Sequence, residues 1–182
     1  MSGSQRADGE AWLDDGQQAS WLDDGQQESW RAVVALLAML PGALDSDLRR
    51  AAGLTMFDYT VLASLSEAPQ HTLQMSALAT RASASLPRLS HVVARLEARG
   101  WLTREACGTD ARATNAVLTR SGWEKVAAAA PHHVQTVRDL VVDALSPSQF
   151  HQLGTIAQKI RQRIEAQTPA PYMAKSHGGN RS

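Results

Sequence analysis

Four basic side chains are spaced so that they share one side of a helix between residues 85 and 100. At about 100° per residue, three of them fall within about 40° of one another and the fourth lies about 60° away. Such a face suits DNA, because cationic side chains bind phosphates and arginine is the commonest specific partner of guanine. Taken alone, it would suit a solvated surface helix equally well. The four residues are Arg88, Arg95, Arg99 and His91.

Apolar side chains of the same segment predict how the helix is held. They fall in one arc of about 120°, the width of the stripe that a helix buries against a core. Ser85 is a favourable N-cap, Pro87 is tolerated in a first turn, and Gly100 is typical of the position just past a helix. The stripe consists of Leu86, Leu89, Val92, Val93 and Leu96.

The elements on either side indicate what would position this helix. Residues 101–104 and 114–118 are β-prone runs, and Gly108, Thr109 and Asp110 between them supply turn chemistry, which predicts a hairpin. Upstream, residues 73–81 predict a short helix that a brief turn joins to the basic one. Helix, turn, basic helix and hairpin follow the plan of a helix-turn-helix with a wing.

Charge supports this interpretation once it is counted by segment. The 18 basic and 18 acidic residues balance overall. Residues 1–30 hold seven acidic side chains and one basic one, whereas residues 70–125 hold eight basic and four acidic ones. DNA affinity depends on the local density of Lys and Arg, so the neutral total does not exclude nucleic acid.

The order and spacing of several short segments resemble the MarR family of regulators over residues 21–167, about four-fifths of the chain. The resemblance implies a mainly α fold with a small β-hairpin wing: a winged helix-turn-helix with flanking N- and C-terminal dimerisation helices. It also implies a homodimer on near-palindromic double-stranded DNA, usually a repressor relieved by a small molecule or an oxidant. The segments are residues 52–62, 75–79, 88–90, 95–100, 110–112 and 118–122.

The resemblance assigns roles to the basic helix by position. Arg95 is expected to contact the DNA backbone or to serve the packing of its own helix. Leu86 departs from the family, where many relatives carry a polar or basic residue, so base readout is expected to depend on Arg88 and His91. The side chains expected at the major groove or its phosphates are Ser85, Pro87, Arg88 and His91.

The wing is assigned in the same way. Arg112 would approach the minor groove, with Thr109 beside it in the wing. Asp110 would brace Arg112 through a charge-assisted hydrogen bond. The single cysteine, Cys107, lies in the same segment, where an oxidant-sensing role is the weaker interpretation.

The remaining chain is expected to supply the dimer. The winged-helix domain would span residues 21–167, with a DNA-binding core in residues 70–118 and dimerisation helices in residues 21–50 and 119–167. Residues 1–20 and 168–182 are predicted to be disordered. Residues 30–40 are apolar nearly all round, which predicts a buried helix that is too short for a bilayer, since crossing one takes about 20 residues. No secretory signal is recognised and there is only one cysteine, so a cytoplasmic location is expected.

Helix signals mark both flanks. Residues 119–145 predict a long helix bent at Pro131, and Ser146 and Gln149 form a capping box that opens a last helix reaching about Gln167. The segment 12–20 is repeated almost perfectly by residues 21–29, whose Asp23 or Asp24 would cap the first helix. The extra copy is interpreted as a disordered tail, or as an acidic arm that competes with DNA or docks a partner.

Other sites are less well marked. Trp30, Tyr59 and His132 are candidate lining residues of an effector pocket between the first, second and fifth helices, or ordinary packing residues. No metal site, cofactor or enzyme is predicted, since nucleotide, nucleophile and metal-spacing motifs are not found. The alternative to a DNA-binding repressor is a dimeric winged-helix protein that binds proteins or ligands without specific DNA readout.

Overall fold

The structure is a computed structural model that describes residues 21–107 and 110–167, with only the backbone described at residues 110–112. Among these residues lie three strands and six α-helices; a 3₁₀ turn (Pro69–His71) precedes the first strand, and a π-helical turn (Arg138–Val142) continues the fifth helix. In chain order the elements are α1 (Asp24–Ala52), α2 (Met56–Ser66), β1 (Thr72–Gln74), α3 (Met75–Arg81), α4 (Leu86–Ala98), β2 (Leu102–Cys107), β3 (Asp110–Leu118), α5 (Arg120–Val137) and α6 (Pro147–Gln167).

The chain divides into two compact units, with the boundary after Pro41 inside α1. In the first unit, the Gln26 N–H donates to Asp23 Oδ1 (2.8 Å), and the Asp23 N–H donates to Gln26 Oε1 (3.1 Å). This reciprocal pair satisfies two N–H groups that a helix start leaves unpaired. It confirms that the second repeat copy caps the first helix.

The apolar side chains at residues 30–40 are largely exposed. Met39 keeps 73% of its surface and Trp30 keeps 55%. The prediction of a buried helix is therefore wrong for the single chain. The described part of this unit is one helical segment, and a lone helix that is apolar on all sides cannot enclose its own side chains.

The core lies in the second unit, where α2, α3 and α4 contribute apolar side chains against the sheet. Leu89, Val92, Val93 and Leu96 of α4 are buried, as the helix geometry predicts. Leu86 is the exception, with 37% of its surface exposed. The other fully buried core residues are Leu54, Val61, Leu62, Leu65, Leu78, Ala79, Leu102 and Ala116.

The sheet is antiparallel with the order β1-β3-β2. Leu102 of β2 lies opposite Leu118 of β3, which confirms the predicted hairpin, and a bulge falls at Ala106 and Cys107. Strand β1 corrects the prediction of a helix from residue 73, since Leu73 pairs with Ala116 and α3 begins at Met75. The pairing partner lies more than 40 residues downstream, so local periodicity could not reveal this strand.

The flanking helices begin at side-chain caps. Thr119 Oγ1 accepts from the Gly122 N–H (3.1 Å) at the start of α5. The Ser146 N–H donates to Gln149 Oε1 (2.9 Å) and the Gln149 N–H to Ser146 Oγ (3.3 Å), which confirms the predicted capping box. Helix α6 ends at Gln167 and buries none of its side chains. Among the described residues, no helix is both long enough and apolar enough to cross a membrane.

Candidate nucleic-acid interface

A tight turn sets the start of α4. Ser83 adopts a left-handed conformation (φ 50°), an uncommon one for a residue with a Cβ. The Ala84 N–H donates back to the Ala79 carbonyl (2.9 Å), and the Ser83 N–H donates to that of Thr80 (3.0 Å). The chain therefore reverses within a few residues, and α4 leaves α3 as the second helix of a helix-turn-helix.

The N-terminal half of α4 presents the side chains expected to meet DNA. Ser85, Pro87, Arg88 and His91 are all exposed, while Leu89 between them is fully buried. Ser85 holds the N-cap position, but its hydroxyl makes no capping hydrogen bond. The structure thus brings these four residues together on one accessible face, anchored from behind by the core.

Arg88 has a partner that the sequence did not indicate. Its guanidinium carbon lies 4.5 Å from the centre of the Phe57 ring, in the first turn of α2. This is within the distance at which a cation is attracted to an aromatic face. Periodicity along α4 carries no information about a residue on another helix.

Arg95 binds a buried carboxylate. Its Nη2 donates to Asp58 Oδ1 at 2.5 Å, and Asp58 is only 2% exposed. The other carboxylate oxygen accepts the Thr55 N–H (3.1 Å), so Asp58 closes the capping box of α2 as well. Of the two expected roles for Arg95, this contact matches packing, and contact with the DNA backbone stays a prediction.

The remaining cations near α4 are also engaged. Arg104 donates to Glu97 from Nε (2.8 Å) and from its backbone N–H (3.0 Å), and these hydrogen bonds with the guanidinium charge hold the pKa of Glu97 below its usual value. Arg99 Cζ and Lys125 Nζ lie 5.0 and 5.2 Å from the centre of the Trp101 ring, within the range of a cation–π contact. Of the two arginines within α4, Arg95 is paired with Asp58, and Arg88 is the one without a carboxylate partner among the described residues.

The wing is formed by β2 and β3. Asp110 begins β3 opposite Cys107, and Arg112 follows two residues later in the same strand. Thr109 lies outside the described residues, as do the side chains of Asp110 and Arg112, so their predicted roles remain predictions. Cys107, the residue considered as an oxidant sensor, is half-buried.

A cavity of about 340 Å³ lies between the start of α4 and the wing. The side chain of Leu86 faces it, which explains why this residue leaves the predicted buried stripe. The cavity brings together hydroxyl, amide and guanidinium groups from five elements, which no local sequence motif predicted. Its lining includes Gln74, Ser76, Leu86, Ser90, Arg104 and Thr114.

The three candidate effector residues belong to two different units. Trp30 belongs to the first unit, where it is exposed. In the second unit, Tyr59 packs against His133 (ring centres 4.5 Å apart), and not against His132. His132 Nε2 instead lies 2.7 Å from Asp47 Oδ2.

Asp47 joins the end of α1 to α5. Its Oδ2 accepts the Thr136 hydroxyl (2.5 Å), and this hydrogen bond is the main cause of a lowered Asp47 pKa. Burial lowers the pKa of His133, and its Nδ1 is buried without a hydrogen-bond partner among the described residues. Sequence reasoning missed Asp47 and His133, since 85 residues separate Asp47 from His132. Within the described residues, no three His, Cys, Asp or Glu side chains are grouped so as to hold a metal.

Known proteins of one family share this arrangement. The MarR family model matches residues 54–114, from the end of α1 to the middle of β3. Sco3205, a MarR family transcriptional regulator from Streptomyces coelicolor solved in complex with DNA, is 39% identical, with a TM-score of 0.78 over 80% of this chain and 94% of that one. AbsC, another MarR family regulator from the same organism, is 38% identical, with a TM-score of 0.77 over 80% of this chain and 98% of that one.

More distant matches show the fold alone. CouR from Rhodococcus jostii RHA1, solved bound to p-coumaroyl-CoA, is 19% identical, with a TM-score of 0.63 over 71% of this chain and 88% of that one. A comparison with curated proteins finds no match. The helix-turn-helix, the wing, and identity near 40% to two family members over almost their whole lengths lead to one conclusion. The chain belongs to the MarR family of transcriptional regulators.

Proposed function

We propose that the chain acts as a homodimer that binds near-palindromic operator DNA and represses a nearby gene until a small molecule releases it. The observation that carries the proposal is the exposed face of α4, where Ser85, Arg88 and His91 stand opposite the buried Leu89. In helix-turn-helix proteins the N-terminal residues of the recognition helix contact base edges in the major groove. Sco3205, at 39% identity, was solved with DNA, which supports the same class of partner here.

Apolar surface supports the homodimer. Helix α6 leaves Ile156, Ile160 and Ile164 more than half exposed, and the first unit leaves Leu37 and Met39 exposed as well. Ile156, Ile160 and Ile164 recur every four residues and so line one side of α6, and monomeric soluble proteins rarely leave large apolar patches exposed. Light scattering coupled to size exclusion should give twice the mass of one chain, and a stable single-chain species would contradict the homodimer.

A small-molecule effector is part of the proposal. CouR, which shares the fold, was solved with p-coumaroyl-CoA. In this chain Tyr59 and His132, which belong to the same unit, are the proposed lining residues of the effector pocket, whereas Trp30 belongs to the first unit. We propose no catalytic activity, and we place the protein in the cytoplasm with its DNA.

DNA titration at several salt concentrations tests the central claim. Labelled duplexes from the region upstream of the gene are titrated with protein, and a duplex of scrambled sequence serves as the control. We expect specific binding whose log affinity falls with log salt, by about 0.9 for each phosphate that a basic side chain neutralises. A slope near zero would favour the alternative, a winged-helix protein that binds proteins or ligands without reading DNA.

A further inference from the structure

Phe57 lies outside the helix that would enter the groove, yet it contacts the arginine most suited to reading a base. The Arg88 guanidinium stands 4.5 Å from the centre of the Phe57 ring. We propose that Phe57 is a specificity-determining residue, which holds the Arg88 guanidinium in position to donate to a guanine. This inference rests on the proposed DNA-binding function and names a residue on α2 that acts through Arg88.

Stacking and base readout use different parts of the guanidinium. An aromatic ring attracts the cation through its face, whereas the N–H donors lie in the guanidinium plane and point outward from its edge. Apart from this contact, the Arg88 guanidinium makes no hydrogen bond or ion pair with the described residues. A guanidinium held over Phe57 can therefore keep its donor edge free for the O6 and N7 atoms of guanine.

The ring stands on a firmly held turn. The Asp58 N–H donates to Thr55 Oγ1 (2.9 Å), and the Thr55 N–H donates to Asp58 Oδ2 (3.1 Å). The Met56 N–H donates to Asp45 Oδ1 (2.8 Å), which ties the same turn to the end of α1. Phe57 is thus flanked on both sides by residues whose backbone positions are fixed.

The recognition helix is clamped to that turn at a second point. Arg95 follows Arg88 by seven residues, which is two turns of α4 and nearly the same face. It binds the buried Asp58 at 2.5 Å, directly beside Phe57. One turn of α2 therefore fixes both the orientation of α4, through Asp58, and the position of the reading side chain, through Phe57.

The consequence is a gain in specificity. A long side chain loses rotamer freedom when it binds, and one that is already restrained loses less. This gain in affinity appears only where Arg88 must occupy one position, which is the case when it binds a base. A phosphate contact gains nothing from it, because a mobile cation neutralises any phosphate equally well. Removing the ring should weaken binding to the preferred sequence more than binding to other DNA.

The test compares Phe57→Leu, which keeps apolar volume without an aromatic face, with Phe57→Tyr, which keeps the face. The probes are a duplex selected by the wild-type protein from a random library and a duplex of the same composition in scrambled order. We expect Phe57→Leu to lose about two- to tenfold in affinity for the selected duplex, the range of a cation–π contact. Affinity for the scrambled duplex should change less than about twofold, and Phe57→Tyr should resemble the wild type.

Arg88→Ala supplies the matched background. If Phe57 acts through Arg88, Phe57→Leu has no further effect on discrimination once Arg88 is removed. An equal loss on both duplexes, or the same loss in the Arg88→Ala background, would overturn the inference. If Phe57→Leu proves to be unfolded, Phe57→Met carries the same expectation. If the wild type enriches no sequence from the library, the proposed function itself is refuted. If the wild type does enrich one and Phe57→Leu distinguishes the two duplexes equally well, only the inference about Phe57 fails.

Discussion

Gly122 is the position where an added methyl group should do the most damage. It lies in the first turn of α5, packed against the residue that precedes strand β2. A Cβ built on Gly122 would stand 1.9 Å from the Trp101 carbonyl oxygen and 2.8 Å from Leu118 Cδ1. The first contact is with backbone, so it cannot be relieved by a change of rotamer.

The expected loss follows from two opposing effects. Overpacking a well-packed site costs about 1–3 kcal/mol, and occasionally more. Alanine gains up to about 1 kcal/mol over glycine inside a helix, which offsets part of that cost. Because the obstacle is a carbonyl that must itself move by more than about 1 Å to reach ordinary contact distance, the cost should lie at the upper end of the range. We expect Gly122→Ala to lower the free energy of unfolding by about 2 kcal/mol.

Gly154→Ala is the matched control. Gly154 is in α6, where a Cβ would have no neighbour within 4 Å, so only the helix preference acts and stability should rise by about 0.5–1 kcal/mol. Urea unfolding followed by circular dichroism, at one protein concentration for all variants, measures both changes. A Gly122→Ala protein as stable as the wild type would refute the reasoning.

The same substitution should affect DNA binding. The Trp101 carbonyl also accepts the Thr119 N–H (3.1 Å), which links the start of the wing to the cap of α5. Displacing that carbonyl shifts β2 relative to α5. We expect a weaker complex with the upstream duplex for Gly122→Ala and an unchanged one for Gly154→Ala.

The further predictions concern four single side chains. Arg88→Ala should cost about 1–3 kcal/mol of binding free energy for the preferred duplex and relax the sequence preference, and unchanged affinity would contradict the groove assignment. Arg112→Ala should instead weaken binding to all duplexes and reduce the salt slope by about one. Arg95→Ala should lower the unfolding free energy by about 1–2 kcal/mol, which is less than for a fully buried pair because the Arg95 side chain is 46% exposed. The salt slope of DNA binding should not change, and a smaller slope would instead reveal a phosphate contact. Burial lowers the pKa of His133 in the folded protein. As the pH falls through the ordinary value of 6.5, the unfolded chain therefore binds a proton at His133 before the folded protein does, and the wild type should lose stability below that pH. His133→Phe, which keeps a ring against Tyr59, should lose less in melting scans from pH 7.5 to 5, and parallel curves would count against this cause.

Local signals in this chain predicted local structure well. The stripe of α4, the capping pairs Asp23–Gln26 and Ser146–Gln149, and the hairpin all depend on residues a few positions apart. Helix periodicity and turn chemistry determine which residues of these elements interact, and both can be read from a short stretch of sequence. These elements, with the order in which they occur, were enough to indicate a winged helix-turn-helix.

Contacts between distant residues followed different rules. Thr72–Gln74 became a strand only because β3 lies beside it. The apolar side chains of residues 30–39 are largely exposed because the described part of their unit is one helix, which cannot bury all of its own faces. Arg95 lies on the basic face of α4, yet it forms an ion pair with Asp58, 37 residues earlier in the chain. Tyr59 likewise meets His133 and not His132.

The sequence by itself therefore determined which faces exist: a basic and an apolar side of α4, a wing, and capped flanking helices. Only the tertiary structure decided how each cation on that face is used, with Arg95 bound to Asp58 and Arg88 stacked on Phe57. The physical reason is that helix geometry fixes the direction of a side chain relative to its own axis. The charge or ring that it then meets belongs to another element, whose position depends on packing of the whole core.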